Sequence, residues 1–393
     1  MNGLLLGLLA FAAIPLLGIL IDGIAAVRAR NVQQPLLGSG HSDDFTLLVP
    51  IYGRTKYLEN VDYLRQYGEK VVLCTTGDED RGFYRQLQEI ADRHGFRVFR
   101  DKPTRFSTEK TVTNAQRATS GTIRDRLVRN ALREVVQTKY VVPIDADTFT
   151  ARPISLLVNE LVRRELDIAS IRLVLTNRKE SLLTKLQYHE YRLAMQLRFI
   201  APWMISGACH VAKTEVLRDI MDRHSLFFQG NDMEVGIIAV ARGYNVGHIP
   251  FEVSTAVPAT PKAWFRQRLA WAGGEFRLFV PNFRYVLQHP FLWIYGGVVT
   301  IALFPLRWFS LGNPHLPLLA IFGLYILLVL VLHWKGRDRL MLLMPLYALV
   351  LSLVLTPLGV IWYFVMAIRD GNFGIIRPRR KGENIPHSPS QAA

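Results

Sequence analysis

Short apolar runs alternate with amphipathic stretches in the first 150 residues, and this pattern predicts strands that alternate with helices. Strands are predicted at Thr46–Tyr52, Val71–Asp78, Arg97–Phe99 and Tyr140–Ile144, and helices at Phe83–His94 and Ile123–Val136. Such alternation predicts a parallel sheet with right-handed crossovers. Because the chain lacks a glycine-rich phosphate loop, the phosphates of a bound nucleotide would have to be held by a metal ion and basic side chains.

Longer apolar stretches, of the length that crosses a bilayer, lie at both ends of the chain. Leu4–Ile21 is uncharged and precedes Arg28 and Arg30, so the positive-inside rule places the N terminus outside and the next domain in the cytoplasm. A cleaved signal peptide is the alternative interpretation of this segment. Further candidate spans are Phe291–Phe309, His315–His333 and Leu340–Ile368.

The last candidate span has basic residues on both sides, in 335–339 and in 369–381. The positive-inside rule would place both groups in the cytoplasm, which one crossing does not allow. Either this segment, interrupted by Pro345 and Pro357, is a re-entrant or bent pair, or the first of the three spans lies along the interface. Both alternatives predict a multi-pass protein of the cell inner membrane with a cytoplasmic main domain.

The composition agrees with a membrane protein that carries a basic domain. Of the 393 residues, 50% are hydrophobic, yet the formal net charge is +15. This combination is unusual for a soluble enzyme and suits a domain that faces anionic lipid or a polyphosphate ligand. Cys74 and Cys209 are the two cysteines of the sequence. We therefore expect a reducing cytoplasm and no disulfide framework.

Two carboxylates, Asp145 and Asp147, follow the fourth predicted strand. Open α/β sheets bind their ligands at the carboxyl ends of the strands. Paired hard-oxygen ligands suit Mg²⁺ or Mn²⁺, and these cations in turn suit the diphosphate of an activated substrate. An acid-x-acid triplet taken alone is more often a solvated turn.

Five motifs in order resemble those of family 2 inverting glycosyltransferases. They are Val49-Pro-Ile-Tyr52, Asp145-Ala-Asp-Thr148, Gly207-Ala with Lys213, Asn231-Asp-Met-Glu-Val-Gly236 and Arg266-Gln-Arg-Leu-Ala-Trp271. The resemblance covers about residues 45–285 and is greatest to membrane-integrated members such as hyaluronan, chitin and cellulose synthases. It implies an α/β, nucleotide-diphospho-sugar transferase (GT-A-like) domain with one N-terminal and several C-terminal transmembrane helices.

The implied organisation has five parts. They are a transmembrane anchor at 1–30, a cytoplasmic GT-A-like domain at 40–260, an amphipathic interfacial helix region at 261–288, transmembrane helices at 289–368 and a basic disordered tail at 369–393. The expected partners are a nucleoside diphosphate sugar, a glycan or lipid acceptor and membrane lipids, but no nucleic acid.

The resemblance also implies roles for the acidic residues. Asp145 and Asp147 would hold the metal and the diphosphate, and Asp232 would be the base that takes the proton of the acceptor hydroxyl. Asn231 replaces the glutamate that usually precedes the base, and Glu234 is left with a supporting role. The alternative role for Asp232 is an N-cap of the following helix, predicted at Met233–Arg242, and the two roles are compatible.

Donor and acceptor contacts follow from the same resemblance. Donor contacts are predicted at Tyr52, Thr75, Asp78, Lys110, Asp145, Arg266 and Arg268, and acceptor contacts at Gln267 and Trp271. Lys110, with Asn114, resembles a family run near the donor, and a solvated surface lysine is the alternative. For His210 and Cys209 we predict packing rather than metal binding.

Two departures from the family pattern affect these predictions. Thr75 and Thr76 stand where many relatives carry acids that bind uracil, so the identity of the base stays open. Ala270 replaces the arginine that contacts the diphosphate in the family, and Arg266 or Arg268 is the candidate to supply that charge.

The sequence thus predicts a metal-dependent, inverting hexosyltransferase that moves a sugar, with UDP as the expected carrier, to a growing β-linked polysaccharide. Trp271 and the C-terminal hydrophobic block favour this function. A single-addition enzyme that makes a membrane glycolipid is the alternative, favoured by the few spans and by Ala270. The third hypothesis is a degenerate, non-catalytic membrane scaffold. The intact set of Asp145, Asp147 and Asp232 argues against a scaffold.

Overall fold

The computed structural model describes residues 21, 23–29, 36, 42–103, 120–288 and 338–377. The chain divides into two compact units. The sheet unit comprises Pro35–Thr176, Pro202–Ala256 and Phe364–Ala393, and the helical unit comprises Met1–Gln34, Asn177–Ala201 and Val257–Tyr363. Outside the described residues lie Lys110, Asn114, the spans predicted at Phe291–Phe309 and His315–His333, and all of Leu4–Ile21 but its last residue.

The described strands are β1 Phe45–Pro50, β2 Val71–Thr75, β3 Arg97–Arg100, β4 Tyr140–Pro143, β5 Ile168–Leu175, β6 Val211–Lys213 and β7 Val246–Thr255. The described helices are α1 Val61–Leu64, α2 Arg81–His94, α3 Ser120–Glu134, α4 Ile154–Arg163, α5 Leu182–Leu197, α6 Thr214–Arg223, α7 Asn231–Ala241, α8 Pro261–Phe279, α9 Phe283–Leu287, α10 Met344–Val350 and α11 Thr356–Asp370. Short 3-10 turns lie at Thr55–Tyr57, Arg65–Lys70 and Arg339–Leu343, and a π-helical turn lies at Leu351–Leu355.

The strands form one mixed sheet in the order β3-β2-β1-β4-β6-β5-β7. The four predicted strands are present, and β1 to β4 are parallel to one another. The sheet as a whole is mixed, because β6, which follows the four predicted strands in the chain, runs antiparallel to both β4 and β5. The chain enters β6 at the carboxyl end of β4, where Cys209 pairs with Ile144 in an antiparallel bridge. From there β6 runs alongside β4 in the opposite direction.

The core of the sheet unit lies around the central strands. Every residue of β1, β2 and β4 is buried, as their continuous apolar runs predict. On α2, Phe83, Leu87 and Ala91 are buried at helical spacing. The side chain of Asp80 accepts a hydrogen bond from Phe83 N at 2.8 Å and caps this helix, which ends at Gly95 with φ 71°.

The segment Leu346–Asp370 is the one helix among the described residues that is long and apolar enough to cross a membrane, with 25 residues and a mean hydropathy of 2.2. It overlaps the span predicted at Leu340–Ile368, and it stays helical through Pro357. Pro345 lies in the first turn of α10, where its missing N–H breaks no helical hydrogen bond. A π-helical turn precedes the turn that contains Pro357, which also lacks an N–H to donate.

Helices α8 and α11 approach each other closely within the helical unit. A Cβ added at Gly359 would lie 2.7 Å from both Gly273 N and Leu269 O, and 2.8 Å from the Cβ of Ala272. A side chain at position 359 would therefore force the two helices apart, and the glycine permits their backbone contact.

Candidate functional site

The carboxyl ends of β1, β2 and β4 bring three predicted site residues to one edge of the sheet. Thr75 ends β2, and Tyr52 and Asp145 each follow their strand by two residues. These strands are parallel and adjacent, so their ends share an edge. That edge is where ligands of α/β sheets bind.

The turn that carries Asp145 and Asp147 is anchored by a buried amide. Asn60 Nδ2 donates to the backbone oxygen of Asp145 at 3.0 Å and to that of Thr148 at 2.6 Å. Asp145 N donates to Ala208 O at 2.9 Å. The backbone of the turn is therefore fixed by the protein, while Asp145 is half-buried and Asp147 is exposed. No sequence motif marked Asn60, which acts through contacts 85 or more residues away along the chain.

Arg124, on α3, places a guanidinium against this turn. Its Nε donates to Asp145 Oδ1 at 2.6 Å, its Nη1 donates to Asp125 Oδ1 at 2.9 Å and its Nη2 donates to Gly207 O. Burial alone lowers the pKa of Arg124, but the charges of Asp145 and Asp125 outweigh that effect, so its pKa is raised. Sequence analysis missed Arg124, because a helical arginine carries no local sign of what it contacts.

Asp232 lies in the first turn of α7. Its Oδ2 accepts a hydrogen bond from Gly207 N, and its Oδ1 accepts one from Met233 N, both at 3.0 Å. The N-cap is Gly230, at φ 84°, rather than Asp232. The helix starts two residues earlier than predicted, and the alternative N-cap role for Asp232 is therefore wrong. A carboxylate in the first turn is still stabilised in its ionised form by the helix dipole.

Gly207 connects the two acidic parts of the site. Its carbonyl oxygen accepts from Arg124, and its N–H donates to Asp232. The sequence motif at Gly207 thus has a structural explanation. Its backbone links the Asp145–Arg124 pair to Asp232. A Cβ added at Gly207 would lie 3.6 Å from Oδ2 of Asp232, so a side chain there would contact the carboxylate.

The ionisable groups beside this site are perturbed. Burial raises the pKa of Asp125, and the charge of Asp232 raises it further against the opposing effect of Arg124. Reduced hydration raises the pKa of the exposed Asp147, and the charge of Asp145 adds to this. Burial, followed by the charge of Arg124, lowers the pKa of His210 to about 3. His210 is therefore neutral at neutral pH.

The end of β2 carries a buried hydroxyl without a hydrogen-bond partner among the described residues. Thr75 Oγ1 makes no hydrogen bond to any residue in the described ranges, although Thr75 is fully buried. Thr76 donates to Glu79 Oε1 at 2.6 Å, and Asp78 is exposed beside it. The unpartnered hydroxyl at this edge is suited to a ligand, because buried polar groups ordinarily find partners.

The four site residues predicted on α8 belong to the helical unit. Arg268 is buried, donates to Glu190 Oε2 at 2.6 Å and lies 4.2 Å from the ring centre of Trp271. Gln267 Oε1 accepts from Arg268 at 2.9 Å. Arg266 is exposed. The charge of Arg268 is thus compensated within its own unit.

The polar cluster around Arg268 extends to the membrane-length helix. Glu190 Oε2 also accepts from Tyr347 Oη at 2.7 Å, and Trp264 Nε1 donates to Tyr347 Oη at 2.9 Å. The cluster therefore joins α5, α8 and α10 by hydrogen bonds inside one unit.

Among the described residues, no group of three or more His, Cys, Asp or Glu side chains is arranged to hold a metal ion. Asp145 and Asp147 are the predicted carboxylates that could bind a cation at this edge together with ligands from a substrate. Mg²⁺ commonly binds in this way, through one or two carboxylates together with phosphate oxygens and water.

Comparisons with known proteins agree with this geometry. The profile of glycosyl transferase family group 2 matches residues 140–368, more than half of the chain. An N-acetylglucosaminyltransferase of Neorhizobium galegae is 28% identical over 152 residues, which are 35% of this chain and 35% of the relative. One of Rhizobium meliloti (strain 1021) is 29% identical over 152 residues, 35% of this chain and 36% of the relative. The chain thus matches only about a third of the length of these relatives.

A solved structure has the same fold. The mannosyltransferase of Pyrobaculum calidifontis, in complex with GDP-Man and Mn²⁺, superposes with a TM-score of 0.55 at 15% identity and covers 90% of this chain and 99% of its own. The mixed seven-stranded α/β sheet is accordingly GT-A-like. The extent of the family match and the order of the motifs lead to one conclusion: the chain belongs to glycosyl transferase family group 2.

Proposed function

We propose that this glycosyltransferase is membrane-bound and inverting, and that it moves a sugar from a nucleoside diphosphate to a growing β-linked polysaccharide. The observation that carries the proposal is the hydrogen-bonded set of Asp145, Arg124, Gly207 and Asp232 at the carboxyl edge of the sheet. It combines an acidic group for the donor side, a cation and a separate carboxylate.

Asp232 is the base in this proposal. Its carboxylate removes the proton of the acceptor hydroxyl as the hydroxyl oxygen bonds to the anomeric carbon. The bond from that carbon to the diphosphate oxygen breaks on the opposite face, so the configuration inverts and the nucleoside diphosphate leaves. The N–H groups of Gly207 and Met233 hold the carboxylate in place.

Arg124 is the resident cation. Its guanidinium is held by three acceptors and is buried to 86% of its side-chain surface, since 14% is exposed. A fixed positive charge at the donor side stabilises the charge that develops on the leaving diphosphate. Arg124 thus offers the cationic charge that the motif lacks at Ala270, alongside the candidates Arg266 and Arg268.

The residues present fit a divalent cation. Asp145 has one oxygen bonded to Arg124, and Asp147 is exposed to solvent. When bound, Mg²⁺ or Mn²⁺ would neutralise part of the diphosphate charge. The complex of the Pyrobaculum mannosyltransferase with Mn²⁺ supports this part of the proposal.

The donor proposed is a UDP-sugar. The names of the bacterial relatives support N-acetylglucosamine as the sugar, and Thr75 supplies a buried hydroxyl for the nucleotide. The fold neighbour binds GDP-Man, so the two donors are the pair to compare. We further propose that Gln267 and Trp271 contact the acceptor, that Tyr52, Asp78 and Lys110 contact the donor, and that the protein lies in the inner membrane with its sheet unit in the cytoplasm.

A single-addition transferase that makes a membrane glycolipid is the second candidate. It is favoured by Ala270 at the motif position, because Arg268, one of the two candidates on α8 to replace the missing arginine, pairs with Glu190 instead. A catalytically inactive scaffold is the third candidate.

Product sizing separates these candidates. Membranes that contain the protein are incubated with radiolabelled UDP-N-acetylglucosamine or GDP-mannose, and the products are resolved by size and by extraction into organic solvent. A ladder of long products supports the polysaccharide synthase, and one organic-soluble product supports the glycolipid enzyme. No product from either donor, with folded protein present, favours the scaffold. The Asp232→Asn variant controls for other transferases in the membrane.

A further inference from the structure

Glu234 is completely buried two residues after Asp232 on α7. Its Oε1 accepts a hydrogen bond from Ser225 N at 2.5 Å, and its Oε2 accepts one from Ser225 Oγ at 2.8 Å. His224 Nε2 lies 3.8 Å from Oε2, and both side chains have no exposed surface. Both oxygens of the carboxylate are thus used to hold one short segment of chain.

That segment joins α6 to α7 in a conformation that bulky residues rarely adopt. Leu226 has φ 54°, Phe228 has φ 62° and Gly230 has φ 84°. Left-handed backbone is unfavourable for leucine and phenylalanine, and it persists where surrounding contacts enforce it. Leu226 and Phe228 are both buried, which places the strained backbone inside the protein.

The hydrogen bonds of His224 define its tautomer. Leu226 N donates to His224 Nδ1 at 3.1 Å, so Nδ1 carries no proton. In the neutral ring the proton is then on Nε2, the atom that faces Glu234. The carboxylate of Glu234 therefore faces three donor groups, which are Ser225 N, Ser225 Oγ and His224 Nε2. A buried carboxylate needs such donors to offset its lost hydration.

One turn after Asp232, a second contact fixes α7. A Cβ at Gly236 would overlap the carbonyl oxygen of Trp203, so the helix lies directly on that backbone. Positions 232, 234 and 236 of the motif thus have three separate structural functions. The carboxylate at 232 faces Gly207, the carboxylate at 234 holds the preceding loop, and the glycine at 236 allows the close approach.

We propose that Glu234 is a positioning residue for Asp232. By binding Ser225, Glu234 keeps the 224–230 loop in its strained conformation. The loop leads directly into α7, so its conformation determines the position of the Asp232 carboxylate in the first turn of that helix. This inference rests on the proposed function, in which Asp232 is the base. A base displaced by about 1 Å can lose roughly 10²-fold in rate, so the loop conformation bears directly on turnover.

The substitution Glu234→Gln tests the proposal. A glutamine keeps the shape but presents an amide NH₂ to a neighbour that is itself a donor, which releases one of the two bonds to Ser225. We expect turnover with the radiolabelled donor to fall by about 10- to 100-fold. The dissociation constant for UDP, measured by calorimetry on purified full-length protein in detergent, should stay within about twofold, because Glu234 does not reach the donor side.

Glu160→Gln is the matched control. Glu160 is also completely buried, and its carboxylate binds Arg163 and Arg164 beside it on and after α4. The same substitution there disturbs a buried carboxylate without touching the 224–230 loop. We expect unchanged turnover per folded molecule. Equal losses in both variants would mean a general effect on stability and would overturn the positioning role.

Ser225→Ala keeps the test decisive if Glu234→Gln fails to fold. It removes the hydrogen bond from Oγ and leaves the one from Ser225 N, so we expect a smaller loss of turnover with the same UDP affinity. Wild-type turnover in this variant, or in a folded Glu234→Gln variant, would overturn the inference. If Asp232→Asn itself retained turnover, the proposed base would be wrong, which is a separate and distinguishable failure.

Discussion

Arg124 and Asp145 form a short ion pair, with 2.6 Å between Nε and Oδ1, although the arginine lies 21 residues before the aspartate on a different element. The pair places a permanent positive charge at the acidic turn after β4. Through Gly207 the same guanidinium is connected to Asp232. The site therefore combines its proposed donor carboxylate, its cation and its proposed base in one hydrogen-bonded chain.

Replacement of Arg124 tests this arrangement. We expect Arg124→Ala to lower kcat/KM by about 10²- to 10³-fold, the usual effect of losing a preorganised stabilising group. Arg124→Lys should also be impaired, because one ammonium cannot reproduce the planar guanidinium that contacts three acceptors. Steady-state kinetics with the radiolabelled donor give the result.

The control for Arg124→Ala is Arg133→Ala on the same helix. Arg133 pairs with Asp222 at 2.6 Å, and both side chains are exposed, so its removal alters charge but not the site. We expect its kcat/KM to stay within about twofold of the wild type. Normal kinetics in a folded Arg124→Ala variant would show that the pair with Asp145 has no part in transfer.

Asp232→Asn tests the base. The amide keeps the size of the side chain but cannot take a proton, so turnover should fall by about 10²- to 10⁴-fold while UDP affinity stays near normal. Kinetics and calorimetry on one preparation provide both numbers. A parallel loss of UDP binding, or loss of the folded protein, would instead assign Asp232 a structural role at the start of α7.

A divalent cation should be required, and its binding should depend on pH. EDTA is expected to abolish turnover, and Asp147→Asn to weaken Mn²⁺ binding, measured by electron paramagnetic resonance in the presence of UDP. The raised pKa of Asp147 means that protons compete with the cation at a higher pH than for an ordinary aspartate. Mn²⁺ affinity should therefore fall as the pH decreases toward that pKa. Turnover that survives chelation would contradict the metal requirement.

The same raised pKa has a consequence for stability. The folded protein binds the proton of Asp147 more tightly than the unfolded chain does, so the ionised group destabilises the fold at neutral pH. This loss of stability is recovered as the pH falls through the raised pKa. In the absence of metal, Asp147→Asn should unfold at the same or a slightly higher temperature than the wild type at pH 7. A loss of activity in that variant would then not reflect unfolding.

Strands β1, β2 and β4 could be predicted because each is a continuous apolar run that ends in turn-forming residues, whereas β3 has only the apolar pair Val98 and Phe99 between two arginines. The same signal placed Asp145 at the carboxyl edge of the sheet, and the structure agrees. The structure also brings Tyr52 and Thr75, predicted from the family resemblance, to that edge. The antiparallel direction of β6 could not be predicted. Three residues carry no direction of their own, and the pairing of Cys209 with Ile144 determines it.

The site was predictable where a residue lies inside a motif and unpredictable where a distant contact defines its role. Asp145 and Asp232 belong to motifs, whereas Arg124 and Asn60 act through hydrogen bonds to residues 21 or more positions away. The amphipathic pattern of α3 predicts a helix and says nothing of which arginine faces Asp145. Glu234 is intermediate, because its motif position was recognised but its bond to Ser225 was not.

The contact between α8 and α11 predicts the effect of a single methyl group. Gly359→Ala would place a Cβ 2.7 Å from backbone atoms of α8, so the helices must separate. We expect a loss of about 1–3 kcal/mol in stability, as for other overpacked cores. Thermal unfolding in detergent measures this loss of stability.

The control is Val354→Ala, at an exposed helical position. Gly371→Ala is unsuitable as a control, because Gly371 has φ 61°. Equal unfolding temperatures for Gly359→Ala and the wild type would contradict the close contact.

Loss of Arg266 and loss of Arg268, the two candidate arginines of α8, should affect the stability of the protein differently. Arg268 is buried and bonded to Glu190, so Arg268→Ala leaves a carboxylate unpaired and should lower the unfolding temperature of the protein. Arg266 is exposed, so Arg266→Ala should leave stability unchanged and affects donor use only if this side chain reaches the diphosphate.

The kinetic outcome identifies the cation. A raised KM for the donor in Arg266→Ala that is partly rescued by Ala270→Arg would assign the missing motif charge to α8. An unchanged KM and kcat in Arg266→Ala, together with a large loss of kcat/KM in Arg124→Ala, would assign the missing motif charge to α3. One fixed guanidinium beside Asp145 would then provide the charge that the leaving diphosphate needs.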